Sequence, residues 1–372
     1  DGMPVGCSPT PVQPRIQDGA ARPLVEDAAA LVSRGFGPTC MLREDRTLWC
    51  WGREIILREA SGGIRELRFV GVPELAATDL VDASVGDRHF CIVRGSDRQL
   101  SCAGSAGFGQ LGVGVFRPPT FPDPTPVELE DAPLTGVEEV VVSGLFTCAR
   151  TTTDIYCWGI NLNNELGDGT AHGGMCRFSG SMQDIDCLNR PTRVALAPEL
   201  GEVRDLALGS SHGCAIQSGD GPAGQVVCWG DNRGGQGGQP AETDTSIPVP
   251  VEGLTDAVRV AAGASFSCAL RESGAIACWG SNLRGQLGDG LEDHGALCER
   301  DDEEVDCSRT PVAVATIDDA TYLDANASFA CAIRADGSVW CWGRNDDMQL
   351  GDESRENQFS PVLVAGTEPG SP

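Results

Sequence analysis

The chain of 372 residues repeats one short pattern six times, and any fold it adopts has to accommodate that repetition. "CALRESGAIACWGSNLRGQLGDG" begins at Cys268, "CAIRADGSVWCWGRNDDMQLGDE" at Cys331, and related stretches begin at Cys40, Cys148 and Cys214. A worn copy begins at Cys91 and carries Ala103 where the others have tryptophan. The first cysteines at 40, 91, 148, 214, 268 and 331 make one tandem array that runs nearly the length of the chain. A motif used six times is scaffold before it is active site.

Each copy reads as short strands. A small or β-branched run such as "VRVAAG" precedes the first cysteine, a turn such as "RADGS" separates the two, and the second lies inside "CWG". Apolar runs punctuated by Gly and Asp about every ten residues are strands and tight turns. Further on come Pro126, Pro191, Pro248, Pro311 and Pro361, each followed by a valine-containing run. Proline donates nothing to a ladder, so it suits the first residue of an outer strand. The unit is therefore about four antiparallel strands, and the fold class is all-β. Such units, repeated without crossover helices, close most simply into a β-propeller of four-stranded blades.

Sixteen of the 17 cysteines fall into eight local pairs: Cys40 with Cys50, Cys91 with Cys102, Cys148 with Cys157, Cys176 with Cys187, Cys214 with Cys228, Cys268 with Cys278, Cys298 with Cys307, and Cys331 with Cys341. Opposed residues of a hairpin are close enough to bridge. The rival reading, zinc or an iron–sulfur cluster, wants clustered CxxC or CxxH spacings, which this sequence lacks. Eight bridges point to an oxidising compartment: extracellular, cell-surface or periplasmic. Cys7 is left over as a free thiol, an intermolecular bridge or the site of a lipid anchor, and a removed signal segment is expected ahead of it.

These residues together resemble the repeat of the regulator of chromosome condensation family: Gly, Cys-Ala-Leu, an Asp-Gly turn, Trp-Gly, Asn, Gly-Gln-Leu-Gly and a proline–valine strand. The resemblance spans residues 22–366 and is closest to a secreted bacterial branch in which paired cysteines occupy these positions. It implies a propeller, normally of seven blades, with a strand from one terminus completing a sheet begun by the other. Six hairpins are present here, so six blades is the preferred count and seven with one degenerate blade the alternative. Residues 22–27, "RPLVED", are the expected closing strand, packed on the sheet of the last repeat. The division is then a 1–21 N-terminal extension, a single propeller over 22–366 and a 367–372 tail.

No catalytic constellation stands out. Trp51, Trp158, Trp229, Trp279 and Trp342 follow second cysteines and are expected to pack between blades. His89 and His212 precede first cysteines, and His172 and His294 precede cysteines of inserts, so all four occupy repeated positions. One aspartate per "LGDG" turn falls short of the six or so oxygens calcium takes, and no phosphate loop is present. No catalysis, cofactor or metal is expected. A net charge of −27 makes nucleic acid a poor partner and membrane association unfavourable, and the sequence contains no spanning segment. The chromatin role and nucleotide exchange of the family's nuclear founder are therefore not carried over.

What remains is a non-catalytic protein-interaction scaffold with an unidentified protein partner, possible as a component of a larger extracellular assembly. A secreted enzyme inhibitor, as in the branch of the family that blocks β-lactamases, is the alternative, and a glycan-binding or hydrolytic protein the second. With only two tyrosines, Tyr156 and Tyr322, the sequence is poor in the aromatic anchors of an inhibitor rim. Two inserts after the LGDG turns of the third and fifth copies carry their own cysteine pairs. Cys176 to Cys187 encloses Phe178, Met182 and Ile185, whereas Cys298 to Cys307 encloses Glu299, Asp301, Asp302, Glu303, Glu304 and Asp306. These nine residues are the candidate partner-binding set, expected on one face of the ring because loops on a rigid scaffold carry function.

Overall fold

In a computed structural model, the described residues are 28–33, 39–43, 45–46, 48–51, 55–58, 64–67, 79–86, 88–116, 120–172, 176, 184–218, 221, 223–300 and 303–368. Cys7, the N-terminal extension and the expected closing strand at 22–27 lie outside them.

Each cysteine hairpin forms the middle of its own antiparallel sheet. The first sheet has three described strands, Ala28–Ser33, Thr39–Arg43 and Leu48–Trp51. The second has four, Leu80–Val85, His89–Arg94, Gln99–Ser105 and Thr120–Pro126. Glu139–Val142, Phe146–Arg150, Ile155–Ile160 and Cys187–Arg193 make the third. The fourth is Glu202–Leu208, His212–Ser218, Gln225–Gly230 and Thr245–Pro250. In the fifth, Ala257–Ala262, Phe266–Arg271, Ile276–Ser281 and Glu303–Ala313 are extended by Leu297–Arg300 of the insert. Ala320–Asn326, Phe329–Arg334, Val339–Gly343 and Gln358–Leu363 close the series. The first strand of each sheet touches the first strand of the next, so these inner strands run along a common axis with the sheets radiating outward as a β-propeller. Among the described residues the only helix is one turn, Pro198–Leu200.

In all six hairpins the cysteines stand directly opposite one another on the second and third strands. Five of these pairs are bridged, with Cα atoms 4.0–4.1 Å apart. Cys40 and Cys50 are opposed in register, and their side chains lie outside what is described.

The proline expectation needs correcting in one respect. Prolines do lie on the outer strands, but inside a bulge rather than at the strand start. Between the second cysteine and the following glycine, the outer strand carries extra residues: Cys278 pairs with Val312 but Gly280 pairs with Ser308, which leaves Pro311 unpaired. Pro191, Pro248 and Pro361 sit in the equivalent gaps, and in the second sheet Pro124, not Pro126, takes this place. A bulge on an edge strand is where a missing N–H costs no ladder bond.

The tryptophans and the Gly-Gln-Leu-Gly loops turn out to be two halves of one joint. Trp158, Trp229, Trp279 and Trp342 are fully buried, and each indole Nε1 donates at 2.9 Å to a carbonyl of the preceding repeat's loop, on Gln110, Glu165, Gln236 and Gln286 respectively. The glycine two residues later lies against the same indole with a left-handed backbone. At Gly288, φ is +68° and an added Cβ would fall 2.6 Å from Trp342. Ala103 fits this logic, because the first copy, whose loop would have to receive an indole there, contains no Gly-Gln-Leu-Gly.

Candidate functional site

In an antiparallel sheet, the turn from inner to second strand and the connection from third to outer strand emerge at the same end. Among the described residues, one face of the propeller therefore carries the turns that follow Val85, Val142, Leu208, Ala262 and Asn326 together with the third-to-outer connections of the second to sixth sheets, including the described parts of both cysteine-bridged inserts.

These loops are pinned at their bases. In the third to sixth copies a buried asparagine after the Trp-Gly pair accepts from a loop amide, as Asn161 does from Leu166 and Asn282 from Leu287. In the third copy the Cys176–Cys187 bridge closes the insert, and His172 Nε2 lies 3.0 Å from the Asp168 carboxylate. In the fifth, Cys298–Cys307 closes it, and His294 is held between Asp289 (2.8 Å) and Asp306 (2.7 Å). Burial alone would lower the pKa of His294, but hydrogen bonds and charge from the two carboxylates outweigh it and raise the value above 6.5. The other two histidines are interior: His89 Nε2 meets Thr147 Oγ1 at 2.7 Å and His212 Nε2 meets Ser267 Oγ at 2.9 Å, both across to the next sheet. Burial drives the His89 pKa down to about 3.

The candidate partner-binding residues divide. Glu299, Glu303 and Glu304 are exposed on the insert hairpin, and Glu299 stands opposite Glu304, an arrangement of like charges that disfavours the hairpin. Asp306 is spent internally, since it accepts from Asn282 Nδ2 and His294. Ile185 is 7% exposed and packs with Cys176 and Cys187 in the core of its own insert, so it offers no rim surface. Phe178, Met182, Asp301 and Asp302 lie outside the described residues.

Sequence reading missed two features of this face. Val115, Leu162, Leu283, Leu291 and Leu297 are exposed apolar side chains on third-to-outer connections, at 42–58%. At the axis, the turns and the third copy's loop enclose a cavity of about 310 Å³, lined by Leu145, Ile160, Leu162, Asn163 and Glu165 with Ser210 and Ser211. Glu165 is the departure here: the equivalent position is Gln110, Gln236, Gln286 and Gln349 in the other copies that have the loop. Its carboxylate accepts from Asn163 N at 2.7 Å and Asn163 Nδ2 at 3.1 Å, and burial pushes its pKa up to about 7. Among the described residues no group of three or more His, Cys, Asp or Glu is placed to hold a metal ion, and no helix is long and apolar enough to cross a membrane.

Repeat descriptions of the regulator of chromosome condensation family match residues 223–270, 257–286, 321–349 and 336–369. Residues 223–286 and 321–369 thus match regulator of chromosome condensation repeats. Among curated relatives, human E3 ubiquitin-protein ligase HERC2 is 27% identical over 295 residues, and probable E3 ubiquitin-protein ligase HERC6, also human, is 25% identical over 329. Those alignments cover 77% and 85% of this chain but only 5% and 27% of the relatives, so the repeat array corresponds to a small part of each. Human WBSCR16 superposes with a TM-score of 0.69 at 18% identity, covering 95% of this chain and 85% of that one. Prp20p from Saccharomyces cerevisiae, described with its binding to Gsp1p and histones, gives 0.65 at 17% identity, covering 91% and 77%. Both likenesses concern the fold, and they agree with the propeller built above from the inner-strand contacts.

Proposed function

We propose that this repeat array is a non-catalytic protein-interaction scaffold of an oxidising, extracytoplasmic compartment, and that it binds its partner through the face that carries the third-to-outer loops. The observation that carries this reading is the concentration of exposed apolar side chains, Leu162, Leu283, Leu291 and Leu297, beside the mutually opposed acids Glu299 and Glu304, on loops fixed by bridges and buried asparagines. Loops already ordered lose little entropy on binding. Acidic side chains among apolar ones suit a partner surface that is basic around an apolar centre. Seven disulfides among the described residues support the compartment. Protein binding by Prp20p is in keeping with a propeller of this kind used as a docking platform.

The test is capture of the native partner by surface variants that leave melting unchanged. Leu162→Asp with Leu283→Asp should abolish capture, and Glu299→Lys with Glu304→Lys should weaken it by removing its salt-sensitive share. Glu272→Lys, on a second-to-third turn at the opposite end of the fifth sheet, should leave it intact. Capture that survives the loop-face pairs and fails in Glu272→Lys would place the interface on the other face.

A further inference from the structure

We propose that the axial cavity is a receptor for one lysine side chain of the protein partner, with the carboxylate of Glu165 as its counter-ion. The inference deepens the scaffold reading and rests on it, since it names the group the loop face recognises.

The sequence of the array marks the position. Backbone carbonyls of this residue grip the next tryptophan in every described joint, and a glutamine side chain serves that purpose as well as a glutamate. Gln110, Gln286 and Gln349 accept from the amide two residues back, on Phe108, Arg284 and Asp347, just as Glu165 accepts from Asn163. The structural task is thus met by a neutral amide, and the charge on Glu165 is surplus to it. Burying a carboxylate without a cation is costly. Glu165 is 2% exposed and none of the described basic side chains forms an ion pair with it. The charged groups facing it come from the next sheet: Asp231, whose charge opposes ionisation, and Arg233, which is tied to Asp231 at 3.0 Å and reaches only Asn163 Oδ1, at 3.3 Å. Such an unbalanced charge in the wall of a cavity is a functional-site signal.

The cavity has the shape and lining for the missing cation. Leu145, Ile160, Leu162 and Leu208 are the apolar residues of its lining, and Ser210, Ser211 and Glu165 are polar ones. A lysine has a four-carbon stem for the walls and a compact charge for the carboxylate. Arginine fits less well, because its planar fork seeks two free carboxylate oxygens and both oxygens of Glu165 already accept from Asn163. The chain's net charge of −27 draws cations toward it at long range.

The probe is the peptide Ac-Ala-Lys-Ala-NH2, with Ac-Ala-norleucine-Ala-NH2 as its neutral counterpart, titrated into the full chain with isotope-labelled leucine and isoleucine methyls. The lysine peptide should shift the methyls of Leu145, Ile160 and Leu162 saturably. The norleucine peptide, and the lysine peptide on Glu165→Gln, should bind at least about tenfold more weakly, the value of one charge-assisted hydrogen bond. Because lysine stays protonated, affinity for wild type should rise as pH passes about 7. Equal binding of the norleucine peptide, undiminished binding by Glu165→Gln, or no saturable shift would overturn the assignment. Failure here with capture still lost in the loop-face variants removes the lysine receptor and leaves the scaffold reading. Peptide binding with capture unaffected by those variants would leave a lysine-binding cavity but overturn both the loop-face interface and the assignment of that lysine to the partner.

Discussion

Replacing Glu165 by Gln, the residue the other copies use, should stabilise the protein at alkaline pH and nowhere else. Burial raises the carboxyl pKa from 4.5 to about 7. A folded state that keeps a proton the unfolded chain has released is favoured at low pH, so this contribution is complete below 4.5 and is lost as pH rises through about 7. The difference corresponds to about 3 kcal/mol by about pH 8, at roughly 1.4 kcal/mol for each tenfold change in proton concentration. Glutamine does not titrate, but it gives up the hydrogen bond from Asn163 Nδ2, worth about 1 kcal/mol. Glu165→Gln should therefore be level with or slightly below wild type near about pH 4 and about 2 kcal/mol above it near about pH 8. Asp82 and Asp205, also raised to about 7 by burial, titrate in both proteins and cancel in the difference. Urea unfolding of both proteins across this range, with disulfides intact, measures it. A stability difference that is constant with pH, or a variant weaker than wild type at the alkaline end, would refute the claim that burial, without a cation, sets the state of this carboxyl.

Gly288→Ala should lower stability by about 3 kcal/mol, from a methyl driven into Trp342 plus the left-handed backbone, with a matching change in tryptophan fluorescence. Replacing Cys268 and Cys278 together by Ala should cost about 2–3 kcal/mol on urea unfolding, and non-reduced peptide mapping of wild type should recover these two cysteines joined. His294, its pKa raised between Asp289 and Asp306, should hold the fifth insert best below pH 6.5, with the gain lost as pH rises through the raised folded value. Hydrogen-exchange protection over residues 291–300 should fall on that rise in wild type and be insensitive to pH in His294→Gln.

Cysteines and tryptophans were legible because they recur at fixed offsets, and opposed hairpin positions require nothing beyond local spacing. The joint between Trp342 and Gly288 was not, since its halves lie in different repeats and no periodicity links them. Pro311 announced an outer strand, but the bulge around it depends on pairing with Cys278 and Gly280, which composition does not reveal. Loop composition also misled: Asp306 and Ile185 look like surface residues of an insert, whereas Asn282 and His294 claim the first and the Cys176–Cys187 bridge covers the second. Glu165 did leave a signal, a single acid in a column of glutamines, visible once the copies are aligned on their second cysteines.

The grip of each loop on the tryptophan that follows gives the array a polarity. A chain ending after any complete repeat has given every one of these four indoles its acceptor, because the carbonyl always comes from upstream. A chain that starts later strips the acceptor from its leading indole, and a buried donor left without a partner costs about 1–3 kcal/mol. Growth from the amino end therefore adds each blade to a surface already prepared for it. Shortening from that end leaves an open socket, so the two directions of truncation are physically unequal even though the repeats look interchangeable.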